Sequence, residues 1–352
     1  MGKEDDKNSK MRSTTKYIFS FLVLVIFMCL SFINFFPEKL SKFLTNITIE
    51  RNTSTFSNNA DEITVFTIGT GSPLNNSRVQ SGAAKFIKDK FFIFDVGDGV
   101  VTKAEQMNLP LSELDAIFIT HFHSDHYIDL PYLINRSWVL GRSKDLNVYG
   151  PEGLENILAS NYDFLELENK HRVDHHGSDL MNTKYAFGVS NEFKMKEDKK
   201  VIYETDGIKI TAFNVDHYPV KPSIGYAIEY NNKKVVISGD TKANEVVFEM
   251  ASNADLLIHE AILNSLLKNT VKILESKEMY RNSHIVYDIQ DYHTPPHEIV
   301  KLANKANVKT LVLNHLTPSP DNIIIKKLYE KQIKNFNGKV YLANDGDKFI
   351  VK

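Results

Sequence analysis

The chain is poor in the residues that give the simplest functional signals. It has one cysteine, Cys29, in 352 residues. That excludes an internal disulfide framework and any cysteine-based zinc site, so a metal would have to be held by His, Asp or Glu. Basic charge is not in excess: 42 Lys and Arg face 44 Asp and Glu, for a formal net charge of −2. That balance points to no polyanionic partner and disfavours nucleic acid as a ligand. No internal repeat of fixed period is present. Long charge-free apolar runs are confined to one place.

That place is residues 17–36, "YIFSFLVLVIFMCLSFINFF", twenty residues without a charge. A helix of about 20 residues spans a ~30 Å hydrocarbon core. Lys10, Arg12 and Lys16 precede it, which by the positive-inside tendency puts residues 1–16 in the cytoplasm as a short tail. No small-x-small cleavage site follows, and Met28 rather than a small residue precedes Cys29. The segment therefore reads as an uncleaved single-pass membrane anchor with an extracytoplasmic domain behind it. Residues 37–60 are rich in Asn, Ser and Thr and read as a linker.

Residues 61–352 are long enough for one large domain with an ample core. Short β-rich runs dominate: "ITVFTIG", "FFIFDVG", "AIFIT", "KITAFNV", "KVVISGD", "ADLLIHEA" and "TLVLNH" are examples. Helical patterns such as "PPHEIVKLANKA" lie between some of them. Strands in two batches with helices outside suit a four-layer α/β sandwich. Residues 161–200 have weak periodicity and many charges, Lys194, Lys196, Lys199 and Lys200 among them. They read as a variable insertion, a cap or hairpin near the active site.

The densest chemistry is in "FITHFHSDHYIDL". His121 and His123 are two apart, and residues two apart in an extended segment point the same way. Their imidazoles can grip one ion. Asp125 and His126 follow on a tight turn, placed for a second. Four residues cannot complete two sites. Further candidates stand at other strand ends: His217 in "KITAFNVDHYP", Asp240 in "KVVISGDT" and His315 in "KTLVLNHLTP". Each alone has a bland explanation as a turn or surface residue, and their joint occurrence carries the weight.

These motifs resemble the metallo-β-lactamase superfamily. The resemblance covers about residues 63–352 through "GTGSP", "FDVGDG", "THFHSDH", "GPEG", "DHYPVKPSIGY", "SGDT", "HEA" and "HTPPHEIVKLANKANVKTLVLNHLTP". It is strongest for the branch that holds ribonuclease Z and the zinc-dependent arylsulfatases and phosphodiesterases. It implies an αββα four-layer sandwich and two Zn²⁺ per chain, with Mn²⁺ or Fe²⁺ able to occupy such N/O sites. One ion would be held by His121, His123 and His217 and the other by Asp125, His126 and His315, with Asp240 bridging. Two such metals activate a water and clamp an ester under attack. Asp125 would also help orient the nucleophile. His293, in "DYHTPP", would protonate the leaving group or steady developing charge. Asp95, His259 and Glu260 would support the ligands from behind, and Tyr218 and Tyr292 would line the substrate pocket. His171, His175 and His176 lie in the variable insertion and are not expected as ligands, and neither are His284 and His297. Dimers are common in this branch, which leaves room for a homodimer.

On substrate, the sequence favours a small sulfate or phosphate ester over tRNA. Ribonuclease Z often carries a basic arm after the position of His217, yet His217 and Asp240 are only 23 residues apart. The "HLTPSP" ending also looks more like the arylsulfatase group. The SGD-type aspartate argues against a β-lactamase. The alternatives are a ribonuclease Z-type tRNA 3′-processing enzyme and a non-catalytic binding protein on the same fold.

Overall fold

In the computed structural model the backbone is described for residues 2–53, 61–74 and 77–352, and side chains for 17–47, 61–74 and 77–352. The chain divides into two units, residues 1–56 and 57–352. The first holds α1 (Gly2–Phe35) and α2 (Pro37–Thr53). Within α1, Tyr17–Phe35 is long and apolar enough to cross a membrane, and none of that stretch is buried in the protein. The predicted linker differs. Its first part is the helix α2, and the remainder, residues 54–60, lies outside the described residues. Pro37 occupies the first helical turn, where its missing N–H costs nothing, with Glu38 beside it. Leu40, Phe43, Leu44 and Ile47 then recur at helical spacing, a pattern hidden by the polar residues between them.

The second unit contains two seven-stranded sheets. The first comprises β1 (Ile63–Gly69), β2 (Gly82–Ile87), β3 (Lys90–Phe94), β4 (Ala116–Phe118), β5 (Leu146–Pro151) and β6 (Gly188–Phe193). The second is built from β7 (Lys199–Thr205), β8 (Ile208–Asn214), β9 (Ile224–Tyr230), β10 (Lys233–Ile237), β11 (Leu256–Ile262), β12 (Thr310–Thr317) and β13 (Lys339–Leu342). The last strand, β14 (Asp347–Val351), returns to pair with β1. The orders are β14-β1-β2-β3-β4-β5-β6 and β13-β12-β11-β10-β9-β8-β7.

Apolar side chains from both sheets meet between them. Ile63, Val65, Phe92, Phe94 and Phe118 from the first pack with Ile210, Tyr226, Val235, Ile258 and Val312 from the second. The helices α3 (Val100–Gln106), α4 (Ser124–Tyr127), α5 (Leu130–Val139) and α6 (Leu154–His176) belong to the first half of the unit, and α3 and α6 pack on the first sheet. The outer face of the second sheet is covered by α7 (Glu245–Met250), α10 (Pro296–Lys305) and α11 (Ile323–Ile333), through Val247, Ile299, Ala303, Tyr329 and Ile333. The helices α8 (Asn264–Ser276) and α9 (Tyr280–Asp288) pack against each other between β11 and α10. The result is the αββα sandwich.

Residues 161–200 are framework instead of an inserted cap. They supply the second half of α6, all of β6 and the start of β7, the edge strands through which the chain passes from one sheet to the other. Edge strands carry charge to block further pairing, which is why their periodicity is faint in the sequence.

One core residue breaks the apolar rule. Lys85 is opposite Val65 on β1 and Phe92 on β3, so it shares their face in the core between the sheets. It is fully buried, its Nζ lies 4.1 Å from the Phe94 ring centroid, and Nζ has no hydrogen-bond partner. Burial lowers its pKa from 10.5 to about 7, against a smaller upward pull from Asp95. At 1.36 kcal/mol per pH unit, that is a cost on the order of 5 kcal/mol when the amine is charged. The folded pKa lies below the unfolded one, so the cost is fully present below pH 7. Between pH 7 and 10.5 the unfolded chain binds more protons, stability rises with pH and the cost fades. Lys85→Met in the full-length chain is expected to raise the melting midpoint at pH 7 by on the order of 10 °C. It should also flatten the rise in stability between pH 7 and 10. An unchanged pH slope would show that Lys85 keeps its ordinary pKa in the fold.

Candidate metal centre

Parallel pairing decides where the chemistry gathers. β3, β4 and β5 run parallel, and so do β10, β11 and β12. β8 and β10 are each antiparallel to β9, so β8 runs the same way as β10. Their C-terminal ends, which carry Asp95, His121, His217 and Asp240, therefore come to one edge of the sandwich. The two sheets are tied together there: Ile224 N–H donates to Thr120 O at 3.1 Å, and the Tyr226 hydroxyl donates to Ile119 O at 2.5 Å.

Three residues with positive φ turn the chain sharply at this edge: Asp95 (φ 57), Gly239 (φ 63) and His315 (φ 45). Asp adopts this conformation more readily than most residues, whereas for His it is a local strain. In β12, Asn314 is opposite Glu260 and Leu316 is opposite Ala261, so His315 is the extra residue of a β-bulge. A bulge re-aims one side chain without breaking the strand. Gly97 is also required: a Cβ there would sit 2.1 Å from Asp125 O, so only glycine lets the 95–99 turn press against the ligand turn.

The ring nitrogens then sort themselves. His217 Nδ1 is 3.1 Å from Tyr292 O, which can only accept, so Nδ1 carries the hydrogen and Nε2 is a bare lone pair. Thr120 Oγ1 donates to Asp95 Oδ2 at 2.9 Å and so accepts from His121 Nδ1 at 3.0 Å, leaving His121 Nε2 bare. His126 Nδ1 donates to the same Asp95 oxygen at 2.8 Å, and His126 Nε2 is buried with no hydrogen-bond partner. Asp95 Oδ1 also accepts from Thr120 N–H at 2.8 Å. One carboxylate thus fixes the tautomers of two histidines.

Lone pairs converge in front of these hydrogen bonds. His123 Nδ1 lies 3.1 Å from His121 Nε2 and 3.3 Å from His217 Nε2. Asp125 Oδ2 is 3.0 Å from His315 Nε2 and 3.4 Å from His126 Nε2, while Asp240 Oδ2 is 3.3 Å from each. Two groups result, one of His121, His123 and His217 and one of Asp125, His126, Asp240 and His315; within each, ligand atoms lie within 4.8 Å of one another. Asp240 also groups with His217 and His293, which places it between the two. The bare Nε2 atoms of His121 and His217, both facing His123 Nδ1, and the two buried carboxylates between His126 and His315 fit a divalent cation, and the all-N/O donor set suits zinc.

The electrostatics differ between the groups. Burial pushes His121 well below its usual range and His217 down to about 4, so this side is neutral imidazole. Burial would raise Asp240, but His315 and His126 outweigh it and hold the carboxyl well below the usual range. Asp125 is also held low, His126 and His315 outweighing its burial.

His293 enters between the 3₁₀ turn Ile289–Asp291 and α10. Its Nδ1 is 3.4 Å from Glu260 Oε2, and Glu260 Oε1 accepts from Thr294 N–H at 2.8 Å. Burial, followed by Asp240, pushes Glu260 well above the carboxylate range, and burial lowers His293 to about 4. Both shifts favour the uncharged forms of the two side chains.

Of the residues expected from sequence, all seven metal-ligand candidates, His293, Asp95 and Glu260 come together. His259 does not support the site as expected. Strand alternation turns it to the helical side, where it stacks on Phe248 at 5.5 Å and its Nδ1 meets Glu260 O at 2.7 Å. Tyr292 packs edge-on against His217 at 5.1 Å, and Tyr218 is 64% exposed at the rim. His171, His175 and His176 are exposed at the end of α6 and join no potential ligand group among the described residues. Sequence reasoning missed Thr120, whose hydroxyl links Asp95 to His121. The signal was its place between an apolar strand and the histidine turn.

An αββα sandwich with this centre at the strand ends defines a metal-dependent hydrolase of the metallo-β-lactamase fold. Residues 92–316 match the sequence pattern of the family described as Beta-lactamase superfamily domain, and the chain belongs to that family. Ribonuclease Z of Mycolicibacterium paratuberculosis is 28% identical over 288 residues, covering 80% of this chain and 96% of that protein. Ribonuclease Z of Mycobacterium tuberculosis is 28% identical over 295 residues, covering 81% and 96%. Among solved structures, human short-form tRNase Z has a TM-score of 0.59 at 22% identity, covering 81% of this chain and 98% of that one. A metallo-β-lactamase fold protein of Bacillus subtilis also has 0.59, at 18% identity and covering 83% and 100%. These two likenesses show the fold.

Because Asp95 accepts three hydrogen bonds behind the centre, its loss should be felt in metal affinity. Asp95→Asn puts an N–H₂ against a donor, and a roughly 10- to 100-fold loss of zinc affinity is expected. Competition with a chromophoric chelator measures it; wild-type affinity in the variant would remove Asp95 from this role.

Proposed function

We propose that the chain is a dinuclear zinc phosphodiesterase of the ribonuclease Z type, cleaving RNA at a 3′ end. The observation that carries this reading is the similarity to proteins named ribonuclease Z along 96% of their length, on a chain that keeps a complete set of potential ligands. It replaces the small sulfate ester favoured by sequence; the relatives reported above lend a sulfatase no support. His121, His123 and His217 would hold one Zn²⁺ and Asp125, His126 and His315 the other, with Asp240 shared; Mn²⁺ or Fe²⁺ suit the same donors. Such ions, when bound, lower the pKa of water and polarise phosphoryl oxygens. Asp125, facing His315 and His126, positions the attacking side. His293, beside both ligand groups, acts as a hydrogen-bond donor to the oxygen that gains charge.

A second reading, a small phosphate ester as substrate, is favoured by one observation. Residues 215–223 between β8 and β9 form only a short loop, and β9 and β10 fill most of the way to Asp240, so no RNA-binding arm is inserted there. A tRNA precursor and a bis-aryl phosphate assayed side by side separate the two. Asp240→Ala is expected to lose both the bound zinc and turnover. His293→Ala should keep its zinc while kcat falls about 10²- to 10³-fold. Turnover of the bis-aryl phosphate with no cleavage of the precursor would hand the case to the second reading.

Residues 17–36 are proposed as a single-pass anchor, with the basic flank favouring an extracytoplasmic domain. The side of the membrane decides which RNA the enzyme meets. Protease added to intact cells is expected to digest the domain, and full protection of it would reverse the orientation.

A further inference from the structure

Beside the His123–His217 side of the centre lies a cleft of about 410 Å³. Its walls are Tyr218, Tyr292, Asp288 and Asp291, and its floor includes Pro219 and Val220. His123 and His217 open directly into it. The volume falls within the ~300–1,000 Å³ of small-ligand clefts. The composition is specific. The lining has two phenol rings, two apolar residues and two carboxylates, but no lysine or arginine. A phosphate would be repelled there. A flat, uncharged group with hydrogen-bond donors would be held by its face and its edge.

The geometry points to a subsite for a single nucleobase with an exocyclic amino group, the base flanking the scissile phosphate. This rests on the ribonuclease reading above and extends it to specificity. Aromatic side chains hold bases by stacking without regard to sequence. Carboxylates accept from amino groups such as cytosine N4, whereas uracil presents only a carbonyl at that place. Asp291 is the principal acceptor: it is exposed beside Tyr292 and has no ion pair among the described residues. Asp288 is partly engaged, 3.4 Å from His284 Nε2 one turn earlier on α9. Tyr218 is the exposed wall, with Lys221 Nζ 5.5 Å from its ring centroid on the rim. Because the subsite adjoins a ligand pair, a base seated in it brings its own phosphate to the centre.

The test uses the full-length, zinc-loaded chain in detergent. RNA substrates carry A, C, G or U at each of the two positions flanking the cut, with bis-aryl phosphate as a base-free control. At one flanking position kcat/KM for C is expected to exceed that for U by about 10-fold. The double variant Asp288→Asn, Asp291→Asn offers amide donors to uracil and should bring the two within about 2-fold. Tyr218→Ala should raise KM for every RNA about 10-fold. Equal zinc content in each variant confirms that the centre is assembled. RNA cleavage without a flanking preference, or a preference that survives in the double variant, overturns the subsite and leaves the ribonuclease reading standing. Turnover of bis-aryl phosphate with no RNA cleaved overturns both.

Discussion

The active edge of this protein depends on one carboxylate. Asp95 sits where β3 has just ended, in a left-handed conformation, and accepts from Thr120 N–H, Thr120 Oγ1 and His126 Nδ1. The first contact fixes the exit of β4. The second, through the threonine hydroxyl, fixes His121. The third fixes His126. The second and third place a hydrogen on the far nitrogen of each ring, so that Nε2 is the atom turned to the centre. Without Asp95 the histidines could choose either tautomer, and burial would then leave polar atoms unsatisfied at about 1–3 kcal/mol each. The close approach of Gly97 to Asp125 belongs to the same device, because the aspartate can reach the turn only if the two backbones touch.

The sandwich explains why such precision is available. Parallel strands from both sheets end at one edge, and their preceding residues are locked in a core shared by the sheets. His121, His217 and Asp240 therefore each sit three residues beyond a rigid strand end, His123, Asp125 and His126 follow on the turn after β4, and His315 sits within a strand at a bulge. The strain of a histidine at φ 45 is held by the pairing of β12 with β11 before and after it. Rigid supports of this kind limit the wandering of side chains that must meet within about 3 Å.

Much of this was legible in the sequence, for a physical reason. Spacing of two in "HFHSDH" is geometry written directly into the chain, and strand-end placement of His217 and Asp240 follows from apolar runs stopping before them, whereas His315, read as a strand end, lies inside β12. The fold followed from the same motifs. What stayed hidden depended on contacts far apart in sequence. Nothing near His259 says which way it faces; alternation from Glu260 does. The bulge at His315 appears only in register with β11. Residues 161–200 looked irregular because edge strands are charged, and α2 was masked by Asn and Thr between its apolar positions. Net charge is also a poor guide to substrate. A total of −2 over the whole chain says nothing about the few residues that touch a scissile phosphate.

The two halves of the centre solve opposite electrostatic problems. His121, His123 and His217 are kept neutral by burial, so they offer lone pairs at little cost. Asp125 and Asp240 are two carboxylates buried almost side by side, and they need positive charge in every state of the protein. Burial disfavours charge on His126 and His315, yet the surrounding carboxylates hold both above their usual pKa. Protons on those rings therefore balance the acids whenever metal is stripped away. A cation entering this half must displace them, which couples its affinity to pH in the direction of tighter binding as pH rises. The neutral half has no such protons to lose. On the dinuclear reading proposed above, the two halves would differ in pH sensitivity, set by where the fold places its acids.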